Sequence, residues 1–422
     1  MDSCPDRRIK YSIIVPTFNG YEYLKDCVRT ILNQDFINYE LIISDDHSTD
    51  STPHFLSSIR DNRVRILHTQ TRLSMAEHWE WALGHAKGEW LLFVGQDDGL
   101  MPYFFPLAEK LTALADLRGI RIIASRRAYF FWSGCEGTYG DIALSYFARD
   151  LVVEKSLGWM AFKALTGAID YFEIPSMYTT SLFRREIPAQ ARLRQGGTLF
   201  VTHPQDANLA AIGCSLSRKC LYSYIPLGWV GSSPKSAGLA VTDAKNRENQ
   251  QVRSSYLESV RASRLVLHSR IGDFSIGSTI LYFWGALLST SKVRFSPLFD
   301  RVLRSRLIGR IIVFAAAVEL ESQRNCLSFE RRKKFLEVAT ANGIIGKHSL
   351  AVGAFFIRAI NRLIKYIDRA AQAVRFGGNS LGLLEVTDSR RSIFIKRSDR
   401  PSMTLCEAQA VIRDIMRNSD DR

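Results

Sequence analysis

Cysteine is scarce in this chain and placed without pattern. The 422 residues hold seven, an odd number, and no two stand in a CxxC pair. That excludes a disulfide framework and a cysteine-rich zinc cluster, and it fits a reducing, cytoplasmic setting. Long apolar runs are missing too. Residues 274–291 carry no charge, yet the solid apolar block inside them is only Ile280–Leu288, flanked by Ser and Thr. Such a block is too short to span hydrocarbon and suits a buried helix. The opening residues mix acids and bases before a strand-length run begins at Tyr11, so no export signal is expected. Residues 1–240 lack net charge: 25 Lys and Arg meet 25 Asp and Glu, and the whole excess of +14 lies in residues 241–422, with 31 against 17. The asymmetry assigns an anionic partner, membrane or nucleic acid, to the second part alone.

What is present is an ordinary globular composition, 46% hydrophobic and 23% charged, in a chain long enough for two domains. Tyr11–Val15, Glu40–Ser44, Arg63–His68 and Trp90–Val94 are short apolar or β-branched runs separated by helical patterns. This alternation predicts a mostly parallel, three-layer α/β sheet. Ile122–Ser125, Tyr171–Pro175, Tyr178–Phe183 and Leu221–Pro226 read as further strands, and His203 opens a helix reaching Ala211. From Thr242 onward helices rich in Arg and Leu take over. The predicted division is a catalytic domain over 1–240, with halves near 10–125 and 126–240, and a basic, mainly helical domain over 241–422.

The fourth run ends abruptly in Gly95-Gln96-Asp97-Asp98-Gly99. Open α/β sheets bind ligands just past the carboxyl ends of their strands. Two adjacent carboxylates there repel each other unless something positive joins them, and Mg²⁺ or Mn²⁺ shared with substrate phosphates meets that need. A solvated Asp-Asp-Gly turn is the plainer alternative.

Ser12–Asn19, Leu41–Thr52 and Ala86–Trp90, leading into Asp97 and Asp98, follow one another at successive strand ends. Together they resemble the N-terminal motifs of family 2 glycosyltransferases with the GT-A nucleotide-diphosphosugar transferase fold. The resemblance implies an inverting transfer of a sugar from a nucleotide diphosphosugar to an acceptor hydroxyl, in surface polysaccharide or lipid-linked glycan synthesis, with a divalent cation, Mg²⁺ or Mn²⁺. It implies that Pro16 and Thr17 flank the nucleotide base and that Asp46 accepts a hydrogen bond from a base N–H. Asp97 would hold the ribose or the cation's water shell, and Asp98 would be the direct metal ligand. Asp45 is expected to brace its loop. Two departures stand out: Gly95 occupies the place of the family's usual first Asp, and Thr69–Arg72 replaces an Asn and Gly. Arg72 then either reaches the diphosphate or stays solvated.

An inverting transfer needs a general base opposite the leaving group. Asp206, near a predicted helix start, matches the family's position for it; the alternative is an acid placed there by the helix dipole. Glu173 is the reserve candidate, and His203 is a metal or phosphate contact or a loop residue. The loop Gly231–Gly238 has small residues that expose backbone N–H groups, so Lys235 and Ser236 are expected at the diphosphate unless the loop is simply mobile. Over Phe355–Arg375, Ile357, Ile360, Ile364 and Ile367 share one helical face, with Arg358, Arg362, Lys365 and Arg369 elsewhere. Interfacial membrane helices and ordinary surface helices both show that pattern. The expected location is cytoplasmic, peripheral on the inner face of the membrane. Rival readings are a degenerate transferase scaffold, suggested by Gly95, and a glycoside hydrolase working with two carboxylates. Nucleic acid is not an expected partner, because the basic clusters come with no reading motif.

Overall fold

The computed structural model describes residues 9–135, 142–146, 149–236, 254, 257–261, 263, 265, 267–272, 274–294, 296–322, 329–375, 380–385, 391–395, 404–410 and 412. Strand and helix alternate from the start: β1 (Tyr11–Thr17), α1 (Tyr21–Leu32), β2 (Tyr39–Asp45), α2 (Thr52–Ser58), β3 (Val64–His68), α3 (Met75–Gly84) and β4 (Trp90–Phe93). β1 lies between β2 and β4, parallel to both, and β3 adds to β2 in parallel. Ile14, Ile42 and Phe93 are buried toward one layer of helices, and Ile13, Leu41 and Leu92 toward the other. A sheet buried on both faces reads in sequence as solid apolar runs, which is why these strands are legible there. α3 is fixed at its start by a capping box: Ser74 Oγ accepts from the Glu77 N–H, and Glu77 Oε2 accepts from the Ser74 N–H at 3.1 Å. Such a cap contributes about 1 kcal/mol.

The chain continues through β5 (Gly99–Leu100), α4 (Phe104–Leu117), β6 (Ile122–Ser125), β7 (Ala128–Phe131), β8 (Ile142–Tyr146), β9 (Arg149–Ser156), α5 (Leu157–Thr166), β10 (Ser181–Arg184), α6 (Glu186–Arg194), α7 (Gln205–Leu216), β11 (Lys219–Ser223) and β12 (Gly228–Ser232). β10 enters antiparallel between β4 and β6, and β11 extends β6 in parallel. β5, β7, β8 and β12 belong to a second, five-stranded sheet. The sequence expectation differs at two places. Tyr171–Pro175 is not a strand but a 3-10 turn over Tyr171–Glu173, because the Asp170 side chain caps the Phe172 N–H at 3.2 Å. Strand geometry begins only at Ser181, because Met177 and Thr179 adopt φ of 52° and 28°, a turn that limits the pairing before it to a single bridge between Tyr178 and Phe93.

Among the described residues five helices of seven or more residues follow, Thr279–Ser289, Pro297–Leu303, Arg306–Ser322, Phe329–Ala341 and Lys347–Arg375. As expected, Ile280–Leu288 is a buried helix, and among the described residues no helix is long and apolar enough to cross a membrane. Its first turn is closed by Glu319, whose carboxylate accepts from the Thr279 N–H at 2.8 Å and from the Ser278 and Thr279 hydroxyls. Trp284 and Ile357 share one apolar core with Ile14 and Phe93, so the helical part packs directly on the sheet. The last described segments return to the beginning of the chain. β13 (Ser380–Glu385) pairs with β9, β14 (Arg391–Ile395) pairs with β8, and Leu405 and Ala408 pack with Met101, Trp132 and Trp229. The expected boundary near residue 240 lies outside the described residues.

Candidate active site

The carboxyl ends of β1, β2 and β4 meet at one sheet edge, and hydrogen bonds lace their loops together. Gln96, just past β4, accepts from the Thr17 hydroxyl at 2.7 Å and from the Phe18 N–H at 3.1 Å. A side chain at Gly20 would overlap Gln96, so glycine there permits the close approach. Asn19 Oδ1 accepts from the Thr49 N–H at 2.8 Å, joining the β1 and β2 loops, while Asp45 braces its own loop by accepting from the Ser48 N–H. Pro16 is half-buried at the strand end. Thr17, expected beside the base, is buried with its hydroxyl held by Gln96 and its carbonyl accepting from the Asp46 N–H.

Asp46 is fully buried. Its Oδ1 accepts from the Thr69 hydroxyl and the Leu73 N–H, each at 3.0 Å, and its Oδ2 pairs with Arg72. Arg72, half exposed, also lies 3.6 Å over the Phe18 ring. The Arg72 guanidinium, seated on the Phe18 ring and held by the buried Asp46 carboxylate, offers its exposed side as a flat cationic surface beside β1, of the kind on which a planar base stacks. Ser44 and His78 lie beneath it, 2.6 Å apart, and burial pushes the His78 imidazole down to about 4.

The two strand-end aspartates differ in burial and in hydrogen bonding. Asp98, expected as the metal ligand, is 1% exposed and fully engaged: Oδ1 accepts from the Gly231 N–H at 2.7 Å, and Oδ2 from the Gly95 N–H at 3.0 Å and the Thr179 hydroxyl. Burial, and next the charge of Asp97, push its carboxyl up to about 6. It is the knot that ties β4, β12 and the Thr179 turn together. Asp97 is the more open of the pair. Its Oδ2 accepts from the Ser233 hydroxyl at 2.7 Å and from Ser236; burial pushes its carboxyl up, and these serines together with the backbone N–H groups of Asp97 and Ser233 pull it back. The loop after β12 is therefore folded over Asp97 through these two serines. Lys235, exposed, reaches the Asn19 carbonyl at 3.1 Å. Ala237 and Gly238 of that loop lie outside the described residues.

Gly95 has a steric reason. A Cβ there would stand 2.3 Å from Tyr178 Oη and 2.9 Å from Asp98 Oδ2. Tyr178 stacks parallel to Trp79, and its hydroxyl fills the space that a carboxylate at position 95 would need. Its phenol is pushed up by burial, then by the charges of Asp98 and Asp97, with Asp206 adding to them. Asp206 lies in the first turn of α7, half-buried, with both oxygens accepting from the Tyr171 hydroxyl at 3.2 and 3.1 Å. Burial raises its carboxyl, and Tyr171 and Arg127 pull it back. Arg127 carries a buried Nε without a hydrogen-bond partner and feels the charges of Glu173, Asp206 and Asp170. His203 is not at this surface: it is 1% exposed and bonded to Ser263 at 2.7 Å.

Among the described residues no group of three or more His, Cys, Asp or Glu could hold a metal ion alone. A cation shared with donor phosphates needs only one or two carboxylates, and Asp97, half-buried beside the fully engaged Asp98, fits that demand. Sequence reasoning missed Tyr178, Thr179, Ser233, Phe18 and Arg127. Phe18 lay inside the first motif and Ser233 inside the Gly231–Gly238 loop, whereas the Met177–Thr179 turn carries no glycine to announce its positive φ.

Residues 12–137 match the family model described as glycosyl transferase family 2. The chain is 38% identical over 89 residues to glycosyltransferase GlyG of Streptococcus pneumoniae, covering 21% of this chain and 30% of that one. It is 35% identical over 95 residues to the GalNAc(5)-diNAcBac-PP-undecaprenol beta-1,3-glucosyltransferase of Campylobacter jejuni, covering 22% and 31%. The chain thus spans about a third of the length of these curated relatives. Among solved structures, S. aureus TarS 1-349 with UDP-GlcNAc superposes at a TM-score of 0.43 with 15% identity, over 80% of this chain and 93% of that one. The likeness to glycosyl transferase family 2 is carried by residues 12–137.

Proposed function

We propose that this protein is an inverting glycosyltransferase that moves a sugar from a nucleotide diphosphosugar to a hydroxyl of a glycan or lipid-linked acceptor. The observation that carries the reading is the meeting of the β1, β2 and β4 carboxyl ends at one sheet edge, where Asp97 stands inside the family-matched residues 12–137. The base of the donor stacks on the outer side of the Arg72 guanidinium, which is seated on Phe18 and held by the buried Asp46. Asp97 would hold the divalent cation together with the diphosphate, where the cation neutralises charge on the departing nucleotide. Lys235 and Ser236 then screen the same phosphates from water.

Asp206 takes the proton of the acceptor hydroxyl. Its carboxyl is raised by burial, which makes the carboxylate a stronger base than a solvated one, and the Tyr171 hydroxyl fixes its orientation. Asp206→Asn removes proton acceptance while keeping size. With donor and acceptor supplied, transfer should fall by about 10²–10⁴, while donor affinity stays unchanged. Retention of activity in this variant would remove Asp206 from the mechanism, and a product of retained anomeric configuration would exclude inversion.

A further inference from the structure

The helix Lys347–Arg375 has two apolar faces, and only one of them is packed. Ala354, Ile357 and Ile364 are buried against the protein, and Asn361 donates to the Thr166 carbonyl at 2.9 Å. The row of four isoleucines expected on one face is therefore split, since Ile360 and Ile367 are 38% and 45% exposed. They join a second stripe: Phe355, Phe356, Leu363 and Tyr366 are 67%, 60%, 59% and 72% exposed. At 3.6 residues per turn these six side chains fall within an arc of roughly 140°, a continuous outward face. Exposed aliphatic and aromatic residues in this number are unusual on a free surface.

We propose that this face docks on an anionic lipid bilayer surface. The charge beside it selects that occupant. Arg358, Arg362 and Lys365 follow the edge of the stripe; Arg358 pairs with Glu321, whereas Arg362 and Lys365 are exposed and have no ion pair among the described residues. A cationic flank beside Phe, Leu and Tyr is the composition of a helix lying in the headgroup boundary. A second copy of this chain would bring the same cationic flank and a net charge of +14 against it, which disfavours self-pairing. The proposal is independent of the transferase reading, because lipid binding needs no sugar nucleotide.

The test is cosedimentation of the full chain with vesicles of neutral phosphatidylcholine alone and with added phosphatidylglycerol. The wild type should bind the anionic vesicles and be released by salt. F356S/L363S/Y366S should weaken that binding at least about tenfold, and R362E/K365E should abolish the preference for anionic lipid. Unchanged thermal unfolding of both variants would show that the packed face is intact. Absence of wild-type binding to anionic vesicles would overturn the proposal. So would a wild-type dimer in sedimentation velocity that F356S/L363S/Y366S dissolves, since the face would then belong to a second copy.

Discussion

Gly95 offers the sharpest test of how the site is built, because one methyl group should be enough to disturb it. In Gly95→Ala the new Cβ would stand 2.3 Å from Tyr178 Oη and 2.9 Å from Asp98 Oδ2, both well inside van der Waals contact. Tyr178 cannot simply swing away, since it is stacked on Trp79 with ring centroids 5.6 Å apart. Asp98 is anchored by the Gly231 and Gly95 N–H groups. Overpacking of this kind costs about 1–3 kcal/mol, and about 2 is expected in urea unfolding of Gly95→Ala. Gly95→Asp adds a third carboxylate beside Asp97 and Asp98 and should cost about 1 kcal/mol more. The second arm removes the obstacle. Tyr178→Phe deletes the hydroxyl, so the double variant Gly95→Ala/Tyr178→Phe should recover at least about half of the loss as a coupling energy. If Gly95→Ala is as stable as the wild type, or if the two changes are additive, the steric account of this glycine is wrong. The missing first aspartate would then need another explanation.

Other consequences can be measured independently. His203 is buried and its imidazole is pushed down to about 4 from 6.5 by burial, so its neutral form is the one that folds. Its contribution is present above pH 6.5 and is lost as pH falls toward 4, up to about 3 kcal/mol. His203→Gln should flatten stability against pH in that window relative to the wild type, whereas parallel curves would refute the assignment. Glu319→Ala strips the partners from the first turn of the Thr279–Ser289 helix and should cost about 3 kcal/mol in denaturant unfolding; a cost below about 1 would show that the cap is dispensable. Lys235→Ala should weaken binding of a nucleoside diphosphate about tenfold and leave the nucleoside unaffected. Equal effects on both would place Lys235 away from the phosphates.

The sequence is most legible where one rule governs each residue. β1 to β4 are buried on both faces, so their apolar runs stand out, and α3 announces its start through Ser74 and Glu77. The strand-end motifs locate Asp46, Asp97 and Asp98 at one edge, but sequence cannot rank the two adjacent carboxylates. That ranking depends on donors far away in the chain, the Gly231 N–H and the Thr179 hydroxyl, which close on Asp98 and leave Asp97 open. Tyr171–Glu173 reads as a strand because its aromatic content favours one, and the Asp170 cap overrides that preference. The return of Ser380–Glu385, Arg391–Ile395, Leu405 and Ala408 to β9, β8 and Met101 has no sequence signal either. Edge pairing and a short helix leave too little periodicity to reveal a partner so distant. The outward stripe of Lys347–Arg375 is half visible: the periodicity is there, but the choice of which face packs is tertiary.

The central claim is that Asp97 is the carboxylate that meets a donor diphosphate and its cation, and calorimetric titration tests it directly. Nucleotide diphosphosugars differing in base would be titrated with and without Mn²⁺ into the wild type and Asp97→Asn, with unfolding curves confirming that both proteins are folded. One base class is expected to bind the wild type, Mn²⁺ to strengthen this binding, and the Mn²⁺ effect to disappear in Asp97→Asn. Failure of every donor to bind the folded wild type, or an undiminished Mn²⁺ effect in the variant, would contradict the claim.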